Sequence, residues 1–126
     1  MKVGSTMNVK RANRVADLIM AEVSDILLKQ VRDPRVRLVT ITRVKLTDDL
    51  RLARIFFVET GKEVCGQQAK EGLDCAAGYI KRELGKRLQL RYVPDIIFMV
   101  DEAFEYGSRI DRILAELKRE DEGHIA

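Results

Sequence analysis

The chain has no tryptophan, one histidine, two cysteines and two prolines, and no apolar run near the ~18 residues that a membrane helix needs. The single histidine, His124, sits in a polar C-terminal stretch, so no His/Cys spacing could hold zinc. No serine stands in a G-x-S-x-G turn, and no histidine neighbours a serine or cysteine nucleophile. Gly85-Lys86 is followed by Arg87 and lacks the upstream glycine of a phosphate loop. Asp48 and Asp49 are adjacent carboxylates that fit a turn better than acid–base work. These gaps argue against an enzyme, a metal centre, a cofactor and a small-molecule substrate. Cys65 and Cys75 read as lying on one helix, where ten residues of separation place them ~15 Å apart, beyond the reach of a disulfide. Two reduced thiols fit the cytoplasm. Met1–Thr6 lacks the apolar stretch of a signal peptide, and the sequence leaves open whether Met1 or Met7 is the native start.

The 126 residues suit one domain, and 46% hydrophobic with 34% charged residues describes a cored protein with a heavily charged surface. Residues 1–60 hold 12 Lys/Arg against 7 Asp/Glu, whereas residues 102–126 hold 4 against 7. A basic body with an acidic C-terminal end suits a polyanion met by one face.

Residues 8–31 carry Val15, Leu18, Ile19, Val23, Ile26 and Leu27 at the spacing of one helical face, closed by Asp33-Pro34-Arg35. Residues 36–46 are rich in β-branched types. Their alternation changes phase near Arg43, which predicts a β-bulge or a change in which face is covered. Leu50 to Glu59 forms the partner strand of a hairpin, with Ala53, Ile55 and Phe57 on one face. Residues 62–88 place Leu73, Ala76, Ala77, Ile80, Leu84 and Leu88 on one helical face. Gly72, Gly78 and Gly85 interrupt that stretch at ~1 kcal/mol each, which predicts a bend or close approach and a break at Gly78. A strand from Tyr92 to Asp101 is apolar in both phases, which predicts a central strand or one covered on both faces. A last helix over 102–118 turns Ile110, Ile113, Leu114 and Leu117 inward. The division is a flexible N-terminus over 1–7, one α+β domain over 8–118, and a flexible acidic tail over 119–126.

On the second helix, Tyr79, Arg82 and Lys86 fall opposite the apolar face, within about 60° of one another. Lys81 and Arg87 flank that face, and Arg91 follows. Cations neutralise phosphates and a tyrosine ring stacks on an unpaired base, so this patch is a candidate RNA surface; a solvated helix face is the plainer alternative. The order of elements permits a KH-like domain, yet no two glycines stand three apart, so the usual GXXG clamp is missing.

From about Asn8 to Leu117 the chain resembles the bacterial ribosome-binding factor A family. The matching stretches include Arg11-Ala12-Asn13-Arg14-Val15-Ala16, Asp33-Pro34-Arg35, Val39-Thr40-Ile41-Thr42-Arg43-Val44 and Leu50 through Phe57. They continue with Ala76-Ala77-Gly78-Tyr79-Ile80-Lys81, Leu84-Gly85, Leu90-Arg91-Tyr92-Val93-Pro94 and Glu105-Tyr106-Gly107-Ser108-Arg109-Ile110. The resemblance implies a KH-like fold of the second type, α-β-β-α-kink-α-β, with an additional C-terminal helix. In that family an Ala-x-Gly kink, here Ala76, Ala77 and Gly78, replaces the GXXG loop. Many members have Asp-x-Ser before the last helix. This chain has Asp101-Glu102-Ala103, so Asp101 has to cap the helix.

The resemblance implies a monomeric assembly factor of the small ribosomal subunit that supports late maturation and 5′-end processing of 16S rRNA by binding alone. Lys81, Arg82, Lys86, Arg87 and Arg91 would contact phosphates around the kink, with Arg11, Arg14 and Arg35 contributing from the first helix and the segment after it. Six to ten such contacts predict a loss of affinity on the order of 10³–10⁵ between 50 and 200 mM salt. A generic module for other RNAs is the runner-up. A protein adaptor using the exposed side of the sheet around Phe56 and Val58 is the third reading.

Overall fold

A computed structural model describes the backbone of residues 2–62 and 65–125 and the side chains of residues 10–62 and 65–121. The elements run α1 (Lys2–Lys29), a 3₁₀ turn (Pro34–Val36), β1 (Val39–Leu46), β2 (Leu52–Glu59), α2 (Gln67–Leu88), β3 (Asp95–Val100) and α3 (Glu102–Ile125). This is the expected KH-like order with a C-terminal helix. α1 begins at Lys2, ahead of the predicted start at residue 8, and α3 continues past residue 118. The Met7 side chain and His124 lie outside the described side chains.

β1 and β2 pair antiparallel, and the register shifts between Ile41 and Arg43, where the alternation changes phase. The turn between them is held by Asp49, whose Oδ1 accepts from the Thr47 hydroxyl at 2.7 Å and the Arg51 amide at 3.1 Å. Asp49 is thus a turn-former, as its position beside Asp48 predicted. β3 runs parallel to β2, with the sheet in the order β1-β2-β3.

That order corrects one expectation: β3 is an edge strand, and β2 is the central one. α1 packs on β1 and α2 on β3, while Ile97 and Met99 on the other phase of β3 remain 45% and 40% exposed. A parallel neighbour requires a crossover, which α2 supplies, and the crossover delivers β3 to the outside of the hairpin. Its doubly apolar pattern therefore has helices behind one phase only.

The core forms between sheet and helices from Ile19, Val23 and Ile26 of α1, Leu73, Ile80 and Leu84 of α2, and Ile55, Phe57 and Phe98 of the sheet. Each such side chain contributes roughly 1.5–3 kcal/mol on burial. The Phe57 and Phe98 rings meet edge-on, with centroids 6.5 Å apart and planes at 76°. Leu18, expected on the buried face of α1, is 53% exposed, because the body contacts the stripe through Ala12, Ala16, Ile19, Val23 and Ile26 instead.

α2 does not break at Gly78; it is one helix from Gln67 to Leu88. Leu73 before the glycine and Ile80 and Leu84 after it are all fully buried on the same core. Three anchored side chains outweigh the ~1 kcal/mol that one helical glycine costs. The close approaches lie elsewhere. A Cβ on Gly72 would stand 2.9 Å from Val36 Cγ1, and one on Gly85 would stand 2.6 Å from Val93 Cγ2, whereas nothing lies within 4 Å at Gly78. Cys65 precedes α2 and Cys75 lies within it, so the two do not share a helix; both are free thiols.

α3 corrects a second expectation. Ile110, Ile113, Leu114 and Leu117 do not turn inward and stand between 37% and 59% exposed. The helix leaves the sheet at the Asp101 end, beside Thr40, Val58 and Thr60, whereas α1 and α2 cover the opposite face. Among the described residues no other helix covers its stripe.

Candidate nucleic-acid interface

α1 and α2 run side by side and antiparallel. The Tyr79 hydroxyl and Gln30 Oε1 meet at 2.7 Å, and Arg87 Nη1 lies 2.9 Å from Glu22 Oε2 and 2.7 Å from Asp25 Oδ2. Moving from Tyr79 to Arg87 along α2 therefore means moving from Gln30 back to Glu22 along α1. At helical spacing Arg11, Arg14, Leu18, Glu22 and Asp25 share one face of α1. Arg11 and Arg14 thus continue the face that meets α2, beyond the end of α2 where Arg91 follows.

Tyr79, Arg82 and Lys86 all point outward on α2, as their angular positions predicted, and all three are exposed. Arg11, Arg14 and Arg82 have no partner among the described residues. Lys86 has Glu83 at 3.7 Å, a loose contact, and the Arg91 guanidinium lies 5.5 Å from the centroid of the exposed Tyr92 ring. These five cations and the Tyr79 ring form an elongated band along the outer side of α2 and onto α1. Gly78, exposed and with open space where a Cβ would stand, leaves the backbone accessible at one end of the band.

The other three predicted cations are paired with carboxylates of the chain. Arg87 bridges to α1, and its guanidinium, followed by Lys29, holds the Asp25 carboxyl below the usual aspartate range. Lys81 Nζ reaches Asp95 at 2.7 Å and lowers that carboxyl likewise. Arg35 makes a two-pronged contact with Asp33, through Nε at 3.0 Å and Nη2 at 2.7 Å to Oδ2, beside Gly72 of α2. Arg87 ties α2 to α1, so its removal perturbs packing as well as surface charge, whereas the Lys81–Asp95 pair is exposed and the Arg35–Asp33 pair is local to the turn. Spacing along the chain gave no sign of this, because Arg87 and Glu22 are 65 residues apart.

Among the described residues no group of three or more His, Cys, Asp or Glu is arranged to hold a metal ion, and no helix is long and apolar enough to cross a membrane. Sequence reasoning passed over the cations of the sheet's uncovered face, Arg43, Lys45 and Arg54. The signal was present in the strand alternation, which puts Arg54 and Phe56 opposite to the buried Ile55 and Phe57.

Comparison with known proteins agrees with this architecture. The family described as "Ribosome-binding factor A" matches residues 11–114. A ribosome-binding factor A from Syntrophus aciditrophicus is 59% identical over 113 residues, covering 90% of this chain and 92% of the relative. One from Trichlorobacter lovleyi is 47% identical over 118 residues, covering 94% and 96%. The crystal structure of ribosome-binding factor A from Thermus thermophilus superposes with a TM-score of 0.62 at 19% identity, covering 71% of this chain and 94% of that one. A homology model of the Thermus thermophilus factor, as fitted into the cryo-EM map of a complex with the 30S subunit, superposes with a TM-score of 0.61 at 19% identity over 72% and 96% of the two chains. With a matching family profile over most of its length and close relatives spanning nearly all of it, this chain belongs to the ribosome-binding factor A family.

Proposed function

We propose that this protein is an assembly factor of the small ribosomal subunit that binds the 30S particle through 16S rRNA. It assists late maturation and 5′-end processing by binding without catalysis, as a monomer in the cytoplasm. The observation that carries the reading is membership of a ribosome-binding family, one of whose folds has been placed on the 30S subunit. The band of Arg11, Arg14, Arg82, Lys86 and Arg91, with Tyr79 beside the open backbone at Gly78, is the surface we assign to rRNA. Its cations are suited to phosphates and its ring to an unpaired base.

Arg82→Glu combined with Lys86→Glu tests the assignment. Arg82 has no partner among the described residues and Lys86 only the loose Glu83 contact, so the thermal melt is expected to stay nearly unchanged. Co-sedimentation with small subunits is expected to be lost. Persistent co-sedimentation of the double variant at moderate salt would show that this face is merely solvated.

A further inference from the structure

The sheet's uncovered face has a composition that solvation alone does not explain. Strand register sets Lys45 of β1 opposite Arg54 of β2, and Arg54 beside Ile97 of β3. The next row on the same face is Arg43, Phe56 and Met99. Like charges directly opposed across a ladder repel one another, and among the described residues no carboxylate pairs with Lys45 or Arg54. The face's two acids are already occupied: Asp95 by Lys81 at 2.7 Å, and the buried Asp101 by Thr42 at 2.6 Å and Arg43 at 3.3 Å. Neither Lys45 nor Arg54 has a partner among the described residues.

Beside that cation pair lies a stacking platform. The Arg43 guanidinium sits 4.1 Å from the centroid of the Phe56 ring, steadied by Asp101, while the Arg43 side chain keeps 44% of its surface exposed. The stacked pair thus remains accessible to solvent, with the exposed Met99 and Ile97 as an apolar floor alongside. A protein partner fits less well. Val58, the other apolar residue expected here, is buried, Phe56 lies under Arg43, and two unpaired cations occupy the next row.

We propose that this face is a second RNA-contacting surface, on which Lys45 and Arg54 hold phosphates of a single-stranded segment while a base stacks on the Arg43–Phe56 platform. Cations beside a stacking surface are how unpaired strands are held without sequence readout. The proposal rests on RNA being the partner, but it concerns a surface separate from the α2 band, across the sheet from both helices.

The test uses the full chain, a single-stranded RNA of about ten nucleotides of mixed sequence, and small subunits, with fluorescence anisotropy across a salt series starting at about 50 mM. Lys45→Glu with Arg54→Glu should weaken oligonucleotide binding by about tenfold or more. It should also flatten the slope of log affinity against log salt by about 1.4, or 0.7 for each lost phosphate contact. The neutral pair Lys45→Gln with Arg54→Gln relieves the repulsion and guards against misfolding: an unchanged or higher melt with weakened RNA binding supports the proposal. Oligonucleotide binding that is absent at about 50 mM salt, or indifferent to both Lys45/Arg54 pairs, overturns it. Should Arg82→Glu with Lys86→Glu still co-sediment with subunits while Lys45→Glu with Arg54→Glu loses the oligonucleotide, the α2 assignment fails and the sheet-face proposal stands.

Discussion

Asp101 ties three parts of the molecule together with one carboxylate. Its Oδ1 accepts the Phe104 amide at 3.1 Å as the cap of α3, and its Oδ2 accepts the Thr42 hydroxyl from the bulge of β1. An aspartate directly before the first helical residue is the expected side chain for that cap. Burial pushes its carboxyl up, but Thr42, the Phe104 amide and Arg43 together outweigh burial and hold it below the ordinary value of 3.8. A carboxyl whose folded value is depressed stabilises the fold above its unfolded value, and that stability is lost as pH falls through the folded one. Asp101→Asn should therefore lower stability at neutral pH by about 1–2 kcal/mol, and the difference from wild type should shrink as pH drops below about 3.8. Urea unfolding at a series of pH values measures this.

The two thiols also diverge. Burial first, then the neighbouring Glu59 carboxylate, pushes Cys65 up to about 11, whereas Cys75 is exposed on α2. Since the thiolate is the nucleophile, iodoacetamide at neutral pH should alkylate Cys75 and spare Cys65 in the folded protein, with both modified in denaturant. Peptide mass mapping distinguishes the sites.

Within α2, the three glycines have different reasons to be there. Gly72 and Gly85 sit where the helix closely approaches the 3₁₀ turn and the segment leading into β3. Gly85→Ala should cost about 1–3 kcal/mol, because the added methyl would stand 2.6 Å from Val93 Cγ2. Gly78→Ala should instead raise stability by ~1 kcal/mol, since the site is open and alanine is the better helix former. If Gly78 is kept for close approach of rRNA to the backbone, the more stable variant should bind small subunits less tightly. Chemical denaturation paired with co-sedimentation reads both effects. The glycine spacing showed in the sequence as a disturbance of α2, but only the neighbours of each glycine separate packing from open surface.

For the molecule as a whole, the ion pairs change the expected strength of RNA binding. Eight cations were legible as a basic surface, yet Arg35, Lys81 and Arg87 are held by Asp33, Asp95 and the Glu22–Asp25 pair. The five cations left in the α2 band predict a fall in affinity for small subunits on the order of 10²–10³ between 50 and 200 mM salt. That is shallower than the six to ten contacts read from the sequence imply. A steeper slope in a sedimentation series would mean that further cations, with Lys45 and Arg54 the first candidates, also reach phosphate.

Periodicity and residue type determined much of this protein unaided. They placed three helices, three strands, the irregularity near Arg43, the Asp49 turn and the outward face of Tyr79, Arg82 and Lys86. All of these depend on residues a few positions apart, where the geometry of helix and strand is known in advance. Tertiary structure decided what depends on distant partners. β3 became an edge because α2 carries it outside the hairpin, the α3 stripe stayed bare because both other helices lie across the sheet, and Arg87 was drawn to Glu22 and Asp25. Contacts between residues tens of positions apart leave no period in the sequence, so which cations remain available to RNA is settled only by the folded chain.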